Sequence, residues 1–187
     1  MKYALLTLLG VLLATPAWGV EVEGVSVPEQ VRVDGQLLML NGAGVRTKLF
    51  FDIYVGALYL PKAATTADQV LNRSGPRRLT MSFLYDEVSR EKLVDGWIDG
   101  FEKNRSSESM AKLKSRLDQF NALFSDARKG DLYIFDFLDD GSTVVTLNGS
   151  QPEVVSGADF QRALLQVWLG KKPADKGLKQ AMLKGSN

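Results

Sequence analysis

The residue types able to do chemistry in this chain are few. Among its 187 residues there is no His and no Cys. That removes imidazole general bases, Ser-His-Asp and Cys-His nucleophiles, and thiol or disulfide chemistry. It also removes the ligands zinc prefers. Arg, Lys, Tyr, Asp, Glu, Ser and Thr are left as working groups. One cation stands out by its setting. Arg46 follows the small-residue stretch Asn41-Gly42-Ala43-Gly44 and opens an aromatic, branched run, RTKLFFDIYVGALYL. A guanidinium there reads as an anchor for a carboxylate or phenolate, as a structural cation paired with an internal acid, or as a solvated strand end. Asp52, an acid in apolar company, reads as a general base or as the partner of Arg46, the pair being preferred. Tyr54 and Tyr59 read as sheet packing with a hydroxyl at the rim.

Other charged clusters carry less. Asp136, Asp139, Asp140 and Gly141 have the air of a calcium loop, but Leu147 stands where a bidentate Glu belongs, so a turn is the better reading. Arg77-Arg78 and Lys171-Lys172 read as solvated pairs at element ends, the lysines suiting the negative end of a preceding helix. With 23 basic and 22 acidic residues the chain lacks the basic surface of a general nucleic-acid binder. Neither GxGxxG nor GxxxxGK[ST] occurs, and no cofactor or metal signature is present.

The elements that must position Arg46 follow from periodicity. VEVEGVSV, residues 20–27, alternates as a half-buried strand. Asp34-Gly35 marks a hairpin, and Asn41–Gly44 a flexible break. Arg46–Leu60 then reads as one central strand, apolar on both faces, with Gly56 marking a bulge or a close approach. A short helix at Ala67–Leu71 precedes a strand at Arg78–Leu84. Ser89 is the expected N-cap of a helix carrying Leu93, Val94, Trp97, Ile98 and Phe101 on one face. Met110, Leu113, Leu117, Phe120 and Phe124 form the core stripe of the next. Leu132–Phe137 and Thr143–Leu147 read as strands around the turn Asp139–Gly141, and Asn148-Gly149 as a second turn. Ser156 and Asp159 suggest a capping box for a helix burying Phe160, Ala163, Leu164, Val167 and Trp168, stopped by Gly170 as a left-handed cap. A last helix runs near Lys176–Leu183. Strands in hairpin order with helices in blocks predict an α+β fold: an antiparallel sheet of about seven strands with helices on one face.

Residues 1–19, MKYALLTLLGVLLATPAWG, join a positive start, a short apolar run and small residues at Ala17 and Gly19. This is the pattern of a cleavable signal peptide, with cleavage expected before Val20 and export to the periplasm. Residues 20–187 are then one domain, and no later run is apolar enough to span a membrane.

LNGAGVRTKLFFDIYVGALYLP (residues 40–61) and FQRALLQVWLGKKPADKGLKQAML (residues 160–183) resemble the chalcone isomerase family, and most closely its secreted bacterial members. The resemblance implies the open-faced sandwich of that fold. It also implies a site built from an arginine, a strand threonine, a helix tyrosine, an asparagine and a C-terminal threonine. Carried over position by position, the arginine is Arg46. The threonine falls at Asp52 or Ile53, the tyrosine near Leu93, the asparagine near Gly100, and the last threonine at Val167, beside Trp168. Only the arginine survives. With Trp97 these residues form the expected ligand site: Arg46, Asp52, Ile53, Leu93, Trp97, Val167 and Trp168. Loss of the polar partners argues against ring closure and for a greasier cavity with one cation. Non-catalytic members of the fold bind fatty acids, so the resemblance implies a small amphipathic carboxylate or phenolic ligand. Two other readings stand beside it. One is an isomerase or intramolecular lyase acting on an enone through Arg46 and Asp52. The other is a cell-envelope interaction module with a vestigial pocket.

Overall fold

The computed structural model describes residues 19–185. The expected leader, and so the signal-peptide reading, lies outside them except for Gly19. Gly19–Val22 (β1) and Val25–Pro28 (β2) form a hairpin where VEVEGVSV suggested one strand. Glu23 and Gly24 turn it at φ 46° and 75°, the left-handed pair a two-residue hairpin turn needs. Asp34 and Gly35 repeat this at 48° and 74° between Gln30–Val33 (β3) and Gln36–Lys48 (β4).

The stretch expected as one central strand is two. β4 ends at Lys48, and Phe51–Leu60 (β5) returns antiparallel to it. The turn between them is Leu49-Phe50, with Leu49 at φ 59°. No turn-forming residue marks it, so periodicity ran through it. Asn41–Gly44 lies inside β4 and is no flexible break. Asn41 is the extra residue of a bulge, and its side chain bonds the carbonyls of Ala64 and Met182 and the Ala64 N–H.

The chain continues through Ala67–Leu71 (α1), Arg77–Phe83 (β6), Glu87–Val88 (β7), Arg90–Asn104 (α2) and Ser107–Asn121 (α3). Then come Ala127–Arg128 (β8), Leu132–Phe137 (β9), Thr143–Leu147 (β10), Glu153–Val155 (β11), Ala158–Leu169 (α4) and Lys176–Met182 (α5). Ser89 caps α2 as its sequence predicts. The capping box expected at Ser156 and Asp159 does not form. Gly157, at φ 117°, is the N-cap, and Asp159 is drawn to Arg116 instead. Gly170 ends α4 in extended conformation, not as the left-handed cap expected, and close packing accounts for the glycine: a Cβ there would overlap Asn104 and the Gln166 carbonyl.

Seven strands pair antiparallel in the order β11-β10-β9-β6-β5-β4-β3. The fold is α+β, as predicted. One face carries the helices over a large core that includes Tyr54, Leu58, Leu79, Phe135 and Trp168. The other carries a smaller cluster of Val55, Ala57, Tyr59 and Leu38, reached by Val27 of the β1–β2 hairpin. β5 is therefore covered on both sides, which its apolar faces foretold. α5 lies directly on β4. A Cβ on Gly42 or Gly44 would overlap Ala181, and one on Gly56 would come within 2.6 Å of Met182. Close approach explains these glycines.

Of the two pairs expected to be solvated, Lys171-Lys172 is exposed and Arg77-Arg78 is not. Arg77 is 5% exposed and donates to the Val70 carbonyl and to Gln161. Arg78 forks onto Asp136, its cross-strand neighbour, at 2.6 and 2.7 Å. Asp140 accepts from the Ser142 N–H at 2.8 Å, and Asp139 from the Gly75 N–H. These acids thus serve separate local partners, as the turn reading requires.

Candidate functional site

β5 carries a second bulge. Arg46 pairs with Tyr54 and Thr47 with Asp52, leaving Ile53 as the extra residue. A bulge lets two successive side chains face the same side, and Ile53 and Tyr54 are both buried in the helix-side core. Asp52 is displaced outward by the same step. It is exposed and accepts a 2.8 Å bond from the Thr47 hydroxyl. The expected Arg46–Asp52 pair does not form: Arg46 is in no ion pair among the described residues. A one-residue slip was enough to misassign the acid.

Between the β4–β5 hairpin, β6 and α2 lies a cavity of about 680 Å³. Its floor is apolar and buried, with Ile53, Met81, Phe83, Leu93, Trp97 and Val167. Leu93 and Trp97 come from the buried face of α2, and Val167 from α4. Of the seven expected ligand residues, Arg46, Ile53, Leu93, Trp97 and Val167 line it. Asp52 and Trp168 do not. Trp168 stands one layer behind and donates from Nε1 to the Tyr54 hydroxyl at 2.9 Å. The family's asparagine has no room at Gly100, where a Cβ would stand 2.8 Å from Val167.

The polar groups converge on one region. The Arg46 guanidinium carbon is 5.7 Å from the centre of the Tyr54 ring. Arg46 Nε is buried without a hydrogen-bond partner, and so is Trp97 Nε1. Burial pushes the Tyr54 phenol above its ordinary range, with Asp175 adding to this and Arg46 and the Trp168 bond opposing it. Tyr54 is a neutral phenol at physiological pH, its oxygen occupied as an acceptor and its proton available to donate. Sequence reasoning treated Tyr54 as packing. Its pairing with Arg46 was hidden by the register, and nothing in spacing alone reveals it.

The rim is charged and exposed. Lys48, Lys92 and Lys172 stand there with Asp95. Two further rim acids are paired: Asp99 with Lys103 at 2.6 Å and Glu87 with Arg128 at 3.2 Å. Cations therefore prevail around a greasy pocket whose buried donors lack acceptors. Such a set fits one oxyanion attached to an apolar body. The buried floor holds no carboxylate to take a proton.

The seven-stranded antiparallel sheet with helices on one face matches the fold that the resemblance to the chalcone isomerase family implies. The chain belongs to the chalcone isomerase-like family, whose profile matches residues 19–184. Its backbone is similar to the crystal structure of a fatty-acid binding protein from Arabidopsis thaliana, with a TM-score of 0.68. The two are 15% identical, over 86% of this chain and 92% of the other. Comparison with curated proteins gives no match.

Proposed function

We propose that this protein binds a small amphipathic acid of the fatty-acid kind, without turning it over, and does so in the periplasm after removal of residues 1–19. The acyl body lies on Leu93, Trp97, Phe83 and Val167. The carboxylate takes Arg46, with the Tyr54 hydroxyl and Trp97 Nε1 as further donors. One observation carries the reading: Arg46 Nε is buried and unpartnered at the edge of an apolar cavity. A buried guanidinium nitrogen left without an acceptor is costly, and an anionic ligand removes that cost. The cavity volume is in the range that holds small ligands. The fold's likeness to a plant fatty-acid binding protein is consistent with this use.

The test is calorimetric titration with a long-chain fatty acid and with its methyl ester. The acid binds and the ester binds far more weakly. Arg46→Gln weakens the acid by about 10- to 100-fold, as loss of a charge-assisted hydrogen bond of roughly 1.5–3 kcal/mol implies. Equal binding of acid and ester would sink the assignment of Arg46. The same three donors also suit a developing oxyanion, so enone turnover by wild type, lost in Tyr54→Phe, would favour the isomerase reading instead.

A further inference from the structure

Among the described residues, three strand pairs are joined by two-residue turns. Two use Glu23-Gly24 and Asp34-Gly35, both residues left-handed. The third, Leu49-Phe50, has no glycine, asparagine or aspartate, yet Leu49 sits at φ 59°. A branched side chain in that conformation is strained, and glycine would relieve it. The same two side chains are 83% and 95% exposed. Leu-Phe therefore costs the folded chain twice, in backbone strain and in apolar surface left in water. Strain that persists without a folding benefit points to function.

The position of the turn supplies that function. Leu49 lines the cavity, and the turn's base is held by Phe51 against Tyr85, ring centres 5.4 Å apart. Lys48 precedes the turn, and Lys92 and Lys172 share the cavity's rim. We propose that the Leu49-Phe50 turn inserts into the surface of an anionic lipid bilayer, with these lysines on the headgroups and the cavity facing the membrane. A rigid convex tip of two apolar residues flanked by cations suits the headgroup–acyl boundary. It is too small for a stable protein interface, which covers about 800 Å² on each partner. Docking does not depend on what fills the cavity. Passage of an acyl ligand from membrane to cavity rests on the function proposed above.

The test is sedimentation with vesicles, mixed phosphatidylglycerol–phosphatidylcholine beside pure phosphatidylcholine, using the full protein. Wild type pellets with the mixed vesicles, more weakly with the neutral ones, and less at high salt. Phe50→Ser lowers binding by roughly tenfold or more, the loss expected for one buried phenyl. It leaves fatty-acid affinity in vesicle-free buffer unchanged, because Phe50 is outside the cavity lining. Leu49→Gly/Phe50→Ser melts no lower than wild type, since the turn is relaxed. Phe50→Trp shifts its fluorescence to the blue on mixed vesicles. Equal vesicle binding by wild type and Phe50→Ser, or none by wild type, overturns the proposal. A concentration-dependent dimer that Phe50→Ser abolishes, without vesicle binding, assigns the turn to self-association and also overturns it. Loss of fatty-acid binding in the wild type alone would fail the ligand reading and leave docking standing.

Discussion

At the scale of single residues, the site depends on a hidden donor relay. Trp168 orients Tyr54 through a 2.9 Å bond, and Tyr54 lies beside Arg46. Tyr54→Phe keeps the ring but strands the buried indole N–H. Stability falls by about 1–3 kcal/mol in denaturant unfolding, the cost of a buried donor without a partner. With Trp168→Phe, which also leaves a core cavity, the double variant loses less than the sum of the two single losses, because the donor is gone too. The phenols also set an alkaline limit. Burial pushes Tyr59 and Tyr133 up to about 12 and raises Tyr54 as well. Unfolded tyrosines ionise near their ordinary value of 10.0, so above it the unfolded chain holds fewer protons than the native one. The tyrosine contribution is fully present below pH 10 and is lost as pH rises toward 12. Thermal melts across that range check it. A midpoint that climbs with alkalinity contradicts it. Arg46 was legible because it sits on a distinctive motif. Tyr54 was not, because only the strand register brings it opposite Arg46.

At the scale of elements, close packing explains what composition left obscure. Gly42 is small because α5 lies on it. Gly42→Ala forces a methyl against the α5 backbone at Ala181, and unfolding free energy drops by about 1–3 kcal/mol, the usual cost of overpacking. Gly96→Ala is its control, as nothing lies near that position, and it holds or raises stability in helix α2. The joint of α3 and α4 titrates. A hydrogen bond from Arg116 holds Asp159 down at about 2 against an ordinary 3.8. This contribution is present above pH 3.8 and is lost as pH falls through that value toward 2. Asp159→Asn flattens the acid limb of the stability profile, and an unchanged limb contradicts the pairing. Most helices and the β9–β10 meander were readable, since amphipathic stripes and Asp-Gly or Asn-Gly turns carry strong local signals. The β4–β5 hairpin was not. Its turn residues, Leu49 and Phe50, continue the apolar pattern of the strands they join, and two bulges shift the alternation on which facing was judged.

At the scale of the whole molecule, one sheet separates two unequal tasks. The face under the β1–β2 hairpin is packed. The helix face is packed at its centre by Trp97, Phe120, Phe135 and Trp168, with ring centres 5.4–5.8 Å apart around Trp97. Toward the β4–β5 turn it opens into the cavity. Trp97 alone of this cluster reaches the cavity, so the pocket is a local opening of the core at its arginine end. Sequence could place the aromatics in the core but not say where they stop filling it, because void volume is a property of the packed side chains together.

The central claim is that this cavity holds an amphipathic acid by Arg46. Its most direct test is native mass spectrometry of the protein purified from cells, wild type beside Arg46→Ala. The account predicts an adduct of a few hundred daltons on the wild type, the mass range of ligands that a pocket of this size accepts. It predicts that organic extraction releases an acid, and that the equally folded Arg46→Ala protein is bare. The same adduct on both proteins, or a bare wild type that takes up no fatty acid when offered it, contradicts the account.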